Sequence, residues 1–388
     1  MTEQLPSSSE DTSLEKLLHQ RSTIICIGPG GVGKTTSSAA LGAGLAKMGR
    51  SVCVVTFDPA RRLASALGRT SLPHEPTLIT DESFSGSLWA CMLDATVTFD
   101  AMVLNYAETE EQAERIFANR IYRNLVTNLS GTQEYMALER LWELHSDPRF
   151  DIIVIDTPPS AGALDLINAP RHLVSFLDNR LFKLIVKPVP LYLRPVSLAA
   201  RTLLKSISKV VGSEVVSDAL DFFHEFSGIE EGMKARAQQV EELLQSASTG
   251  FVAVTSPRVS ALRESQEIIR RLHGSQYDPL GLIVNRMTPE FPLTLEHVPN
   301  EPPTSVEPAL WSLMQENLHL LRQLREIEIR NLATYLAQGP SLPLLLIDTL
   351  ATDLTSLDEL VKLGETMLFS TLDRANFASD EDSSTIES

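Results

Sequence analysis

Cysteine is scarce in this chain, and none of it is spaced for chemistry. The 388 residues include three cysteines, Cys26, Cys53 and Cys91. No two stand as CxxC, so neither a clustered zinc site nor a dithiol redox pair is encoded. Each lies in an apolar run, where a small buried hydrophobe is the expected role. A reducing, cytoplasmic setting is expected from that usage. Long apolar runs are also missing. No stretch reaches the roughly 18 residues that a spanning helix needs. The start, MTEQLPSSSEDTSLEK, lacks an apolar segment with basic flanks and does not read as a signal peptide. Positive charge is in deficit, with 33 Lys and Arg against 50 Asp and Glu and a formal net charge of −17. That balance excludes the uniformly basic surface of a nucleic-acid binder, and no nucleic-acid partner is expected. No internal repeat is present, and the phosphate-loop pattern occurs once, which argues against a tandem architecture.

That single pattern organises the chain. Residues 23–36 read TIICIGPGGVGKTT. A β-branched run predicts a buried strand at 23–27, and an alanine-rich stretch predicts a helix at 37–48. Between them lies GxxxxGK[ST], the pattern of a loop that cradles phosphates. Gly28, Gly30, Gly31 and Gly33 let the backbone turn and approach an anion. With Val32 and Thr36 they form the turn whose N–H groups, with the helix N-terminus, point at one phosphate. Lys34 is expected to reach the terminal phosphates, and the Thr35 hydroxyl to ligate Mg2+.

Further strands are expected at 52–56, 88–93, 151–155, 251–255, 280–284 and 342–347. Helices are expected at 63–67, across 99–117, from 136 to 144, at 260–273, 310–336 and 354–369. Residues 72–86 and 291–308 read as loop. Alternating strands and helices predict an α/β fold: a doubly wound, mainly parallel sheet of about seven strands. The helix-only block at about 161–248 reads as an insertion into one domain spanning 21–369. Residues 1–20 read as a flexible leader with a short helix, and 370–388 as a disordered acidic tail.

In such a sheet ligands gather at the carboxyl ends of the strands. The second strand delivers Asp58 there and the fourth delivers Asp156. A hydrophobic strand ending in Asp is the pattern that holds Mg2+ directly or through water, and both Asp58 and Asp156 are candidate metal and catalytic residues. Asp58 is also placed to orient the attacking water. A turn residue before Pro59 remains an alternative for Asp58, and a helix cap for Asp156.

The glycine loop is followed in order by FDPARRL, VIDTPPSAGALDL and LIVNR. With GTQEYMALERLWEL between FDPARRL and VIDTPPSAGALDL, the chain resembles the ArsA and guided-entry ATPase family of the deviant-Walker-A group. The resemblance runs from about 23 to 369. It implies a dimeric ATPase, homodimeric or paired with a related subunit, that uses ATP and Mg2+. It implies that Asp58 serves the attacking water, that Asp156 and Thr157 sense Mg2+ and phosphate, and that Asn285 reads the adenine edge. Arg286 is implied beside the base. One departure stands out. The family carries a lysine after the first loop glycine that crosses the dimer, and here that position is Pro29. Slow hydrolysis, substitution by Arg61 or Arg62, and pairing with a lysine-bearing subunit are three readings left open, as is a nucleotide-gated switch with little hydrolysis. A membrane or DNA positioning scaffold like MinD or ParA is a further alternative. Grouped thiols for a soft metalloid are missing, which disfavours arsenite transport.

Residues 179–212 hold no acid but contain Arg180, Lys183, Lys187, Arg194, Arg201, Lys205 and Lys209. Leu203, Leu204, Ile207, Val210 and Val211 share the opposite face of a predicted helix. Downstream, Phe222, Phe223, Phe226, Met233, Leu243 and Leu244 are expected to add apolar surface. A groove for a hydrophobic client protein, or a peripheral membrane contact, is expected across 179–244.

Overall fold

Short β-branched runs, bounded by glycine, proline and acids, become the strands of one sheet. The computed structural model describes residues 13–57, 62–80, 84–120, 122–123, 132–157, 160–179, 213–275, 277, 279–291, 302–303, 305–338, 342–352, 354, 356–370 and 372. The strands are β1 (Thr23–Ile27), β2 (Ser51–Thr56), β3 (Thr77–Leu78), β4 (Ser87–Met92), β5 (Ile152–Asp156), β6 (Thr249–Thr255), β7 (Pro279–Met287) and β8 (Leu344–Asp348). They form an eight-stranded sheet in the order β3-β4-β2-β5-β1-β6-β7-β8. Every pairing is parallel except β3 against β4. The α/β, doubly wound, mainly parallel sheet stands as expected.

Two expectations are corrected. The loop assigned to 72–86 contains β3, whose two residues pair with Trp89 and Ala90. It is too short to leave a periodic trace and is a strand only because β4 lies beside it. The single helical stretch at 99–117 is two helices. Ala107 is extended, and the Thr109 side chain accepts from the Gln112 N–H to cap the second.

The helices are α1 (Leu14–Leu18), α2 (Lys34–Lys47), α3 (Arg62–Ala66), α4 (Ala95–Tyr106), α5 (Glu110–Ala118), α6 (Thr132–His145), α7 (Ser160–Leu177), α8 (Ser213–Glu225), α9 (Ile229–Gln245), α10 (Val259–Gly274), α11 (Pro308–Gln338) and α12 (Leu357–Phe369). Alternation along the strands sorts them into two layers. Ile24, Cys26, Val52 and Val54 share a core with α1, α2 and α12. Ile25, Ile27, Cys53 and Val55 share another with residues of α4 through α11. Central strands β1, β5 and β6 are buried at every position, as strands covered on both faces should be.

The first layer is thin, and its helices cross through small residues. A Cβ at Gly364 would lie 2.0 Å from the Ala40 carbonyl oxygen, so α12 crosses α2 backbone to backbone. The second layer is deep. Phe99, Tyr122, Phe222 and Phe226 form a linked aromatic cluster, with Met233, Leu243 and Leu244 buried in the same core. The apolar surface expected from 222 to 244 is therefore corrected: most of it points inward against α4, α5 and α6. The basic stretch 180–212 lies outside the described residues. Among the described residues no helix is long and apolar enough to cross a membrane.

Candidate functional site

Parallel strands bring their carboxyl ends to one edge, and β1 ends there in the glycine loop. Gly28, Gly31 and Gly33 have φ of 150°, 76° and 98°. A Cβ at Gly28 would meet the Val254 carbonyl oxygen at 1.9 Å, and one at Gly33 would meet the Asn285 amide nitrogen at 2.2 Å. Glycine is thus required by space as well as by conformation. Val32 is buried beneath the turn while Gly30 and Gly31 at its tip face solvent. A side chain added at Gly31 would meet nothing within 4 Å, so the tip of the loop stands clear of the rest of the chain.

Gly33 caps α2 in the left-handed conformation with no side chain over the helix end. The first N–H groups of a fourteen-residue helix therefore face the loop unobstructed. Lys34 opens that helix and is buried. Its ammonium donates to the Gly28 and Pro29 carbonyls at 2.9 and 2.8 Å. Burial pushes its pKa below the ordinary lysine value, and the Asp156 carboxylate nearby opposes that shift. Pro29, at the position where the family resemblance implies a trans-acting lysine, is itself buried. Thr35 and Thr36 sit half-buried on the first turn of α2.

Asp156 ends β5 between β1 and β2, in register with Cys26 and Thr56. Its Oδ2 accepts from the Thr56 hydroxyl at 2.9 Å. Thr157 follows, buried, and donates its hydroxyl to the Cys26 carbonyl at 2.7 Å. This bond draws the end of β5 against the start of the loop. The Cys26 thiol is pushed up to about 12 by burial, so it stays protonated as a packing group.

Asn285 comes from β7, across β1 and β6. Its amide donates to the Val32 carbonyl at 2.9 Å, and its carbonyl oxygen accepts from the Arg286 N–H at 2.9 Å. Arg286 is the one described non-glycine residue with positive φ, 64°. It occupies the irregularity where β7 shifts register against β8. Its side chain is exposed. Asp58 and Arg61 lie outside the described residues. The structure thus brings the glycine loop, Lys34, Asp156, Thr157 and Asn285 to one edge.

Sequence reasoning missed several partners. Thr56 fixes the Asp156 carboxylate, and its only signal was a hydroxyl at a strand end. Beyond β7, Thr288 gives its N–H and hydroxyl to the buried Glu328 at 2.8 and 3.1 Å. Arg325 bonds the Thr288 carbonyl and reaches Asp348 Oδ1 at 3.0 Å. These residues moor α11 to the ends of β7 and β8, next to Asn285 and Arg286. Nothing local marks Glu328 among the other charges of α11.

The residues fit a nucleotide with its metal. The loop supplies N–H groups and a lysine for a polyphosphate. Among the described residues no group of three or more His, Cys, Asp or Glu is placed to hold a metal. Mg2+ suits this edge, because it takes one or two protein oxygens together with phosphate and water.

A family model described as an anion-transporting ATPase matches residues 21–296. ATPase GET3A of Arabidopsis thaliana is 28% identical over 284 residues, which is 71% of this chain and 70% of that protein. ATPase get3 of Schizosaccharomyces japonicus is 26% identical over 280 residues, 71% and 78% of the two chains. An ATPase ASNA1 homolog of Plasmodium berghei is 25% identical over 328 residues, 83% and 73%.

Proposed function

The chain belongs to the anion-transporting ATPase family, and from that premise we infer a Mg2+-dependent ATPase that works as a dimer and couples the nucleotide to its helical layer. The chain is an ATPase that binds nucleotide; the roles of individual residues are our reading. The observation that carries it is Lys34. Its buried ammonium rests on two carbonyls of its own loop, beside a helix N-terminus. Phosphate oxygens are better partners for that cation than neutral carbonyls, so ATP would draw Lys34 onto its terminal phosphates.

Gly28, Gly30, Gly31, Val32, Gly33, Thr35 and Thr36 present backbone N–H groups and hydroxyls to the phosphates. Thr35 and Asp156 would hold Mg2+, which offsets charge between the phosphates. Thr56 keeps the Asp156 carboxylate aimed across the edge. Asp58 orients the attacking water. Asn285 faces the base with an amide that can donate and accept, and Arg286 flanks it. In the bound state the Asn285–Val32 bond ties the base side of the site to the phosphate side. Hydrolysis would then alter α6 to α9 through the segment that follows Thr157. The family resemblance supports a hydrophobic client protein or membrane surface as what that layer serves.

Pro29 favours a second reading. A buried proline supplies no cation to a partner's phosphate, which would leave a nucleotide-gated switch with slow turnover. Steady-state ATP turnover separates the two readings. Wild-type turnover that falls at least about 100-fold in Lys34→Ala supports the enzyme. Turnover unchanged in that variant rejects the site. A rate that rises in Pro29→Lys supports the slow-switch reading, and no rise rejects it.

A further inference from the structure

Both ends of the Asn285 amide are occupied by backbone. Its Nδ2 donates to the Val32 carbonyl and its Oδ1 accepts from the Arg286 N–H, each at 2.9 Å. A carbonyl only accepts and a backbone N–H only donates, so these partners dictate which end of the amide is nitrogen. The nitrogen is also packed on the glycine loop, where a Cβ at Gly33 would stand 2.2 Å from it. Among the described residues nothing takes the second N–H or the second oxygen lone pair, and these two keep a fixed polarity. They match adenine, whose amino group donates beside a ring nitrogen that accepts. Guanine sets a carbonyl oxygen where adenine has its amino group, and lone pairs would then face each other.

The Arg286 N–H reaches Oδ1 because Arg286 is left-handed, with φ of 64°. Arginine does not hold that conformation by preference, and it persists only where the surroundings impose it. The chain beyond Arg286 does so. Asn285 pairs with Ile347 and Met287 with Asp348, which leaves Arg286 as the extra residue of a bulge. Met287 is buried, and its carbonyl accepts from the Thr349 N–H at 2.7 Å. Thr288 is held more completely. The two oxygens of buried Glu328 accept its N–H and hydroxyl at 2.8 and 3.1 Å, and Arg325 of the same helix bonds its carbonyl. The N–H, hydroxyl and carbonyl of Thr288 are thus all held by α11. Leu332 and Tyr335 already seat α11 in the core, so this polar clamp fixes the bulge rather than the helix.

We propose that Glu328 and Thr288 are positioning residues for base selectivity. The clamp holds the bulge, the bulge aims the Arg286 N–H, and that N–H fixes the Asn285 amide in the polarity that accepts adenine and rejects guanine. The bond to Val32 fixes one end of the amide but leaves its plane free to turn; the second bond fixes the plane. Glu328 acts through the chain between Thr288 and Asn285 and touches no nucleotide. The inference rests on the reading that Asn285 faces the base.

Calorimetric titration of the full chain tests it, with the Mg2+ complexes of three ligands: the β,γ-imido analogues of ATP and GTP, and tripolyphosphate, which has phosphates and no base. Wild type should prefer the adenine analogue by about 10-fold or more. Glu328→Ala should lose most of that preference and Thr288→Val part of it, while tripolyphosphate affinity stays at the wild-type value. Glu328→Gln should keep the preference, since a carboxamide accepts from the Thr288 N–H and can donate to its hydroxyl. Arg286→Gly should restore the preference in the Glu328→Ala background, because glycine takes the left-handed conformation without a clamp. A variant that simply fails to fold is not repaired that way. A preference that Asn285→Ala removes and Glu328→Ala keeps would overturn the clamp and leave Asn285 facing the base. No preference in wild type, or one that survives in Asn285→Ala, would overturn both. Loss of tripolyphosphate binding in Glu328→Ala, or no restoration by Arg286→Gly, would overturn the clamp as well.

Discussion

The two faces of the sheet are covered in opposite ways. On one face α2 and α12 meet through alanine and glycine, with Gly364 against the Ala40 carbonyl. The core on that face is aliphatic, with Leu41, Leu45, Leu360 and Leu368 around the small-residue crossing, and it has no aromatic cluster among its buried residues. On the other face α4 through α11 build a thick layer around phenylalanines, and that layer buries charge. Glu139 on α6 is 2% exposed. It accepts from the Tyr135 hydroxyl and faces Arg236 of α9 at 3.6 Å. Arg236 in turn lies over the Trp142 ring at 3.3 Å. The thin face has few ways to rearrange, and it carries the helix whose N-terminus faces the loop. The thick face holds ionisable groups at a cost in desolvation.

Phe222→Ala should have the largest effect on stability. Phe222 is buried against Tyr122, Phe223 and Phe226. Loss of its ring should cost about 3–5 kcal/mol in denaturant unfolding. A loss under about 1 kcal/mol would mean that the thick layer is not packed through its aromatics.

Glu139 comes next and probes buried charge. Burial pushes its pKa from the ordinary 4.5 up to about 7, while Arg236 acts in the opposite direction. The folded state therefore holds a proton that the unfolded state releases between those values. Stability from this group falls as pH rises from about 4.5 to about 7, by up to about 3 kcal/mol, and is level on either side. Glu139→Gln should flatten that part of the stability–pH curve. A curve that keeps its wild-type slope would assign the titration elsewhere.

Gly364→Ala tests the thin face. One methyl group placed against the Ala40 carbonyl forces α12 off α2 and should cost about 2 kcal/mol. A smaller loss would show that this face can yield. Ser356→Ala should have the smallest effect. Ser356 and Glu359 form a reciprocal cap at the start of α12, and its loss should lower stability by about 1 kcal/mol. A thermal melt of each variant distinguishes these two.

Much of the thin face and its edge was legible in the sequence. β1 and β5 are continuous apolar runs because both their faces are covered, and the glycine loop must be glycine where the structure shows backbone and Asn285 pressed against it. The rest depended on contacts between distant parts of the chain. β3 exists only by pairing. The break between α4 and α5 is made by a cap at Thr109 within an irregular apolar period whose intervening acids read equally well as the polar side of one helix. Asn285 was legible through family likeness, while its bond to the Val32 carbonyl depends on β6, the strand that lies between β1 and β7. The length of α11 could be read from its period, but the side left in water is decided by the mooring of Glu328 and Arg325. The inward turn of Phe222, Phe226 and Met233 was likewise hidden, because an amphipathic helix does not say whether its apolar side meets its own protein or another.

The central claim is that the edge moored by the thin face takes Mg-ATP, and that Lys34 exchanges its loop carbonyls for phosphate. Thermal unfolding of wild type and Lys34→Ala, each with and without Mg-ATP, tests it most directly. At about 100 times Kd the ligand should add about 2.7 kcal/mol to the wild type and raise its melting temperature accordingly. Lys34→Ala should lose most of that rise. An equal rise in both proteins, or none in the wild type, would contradict the claim.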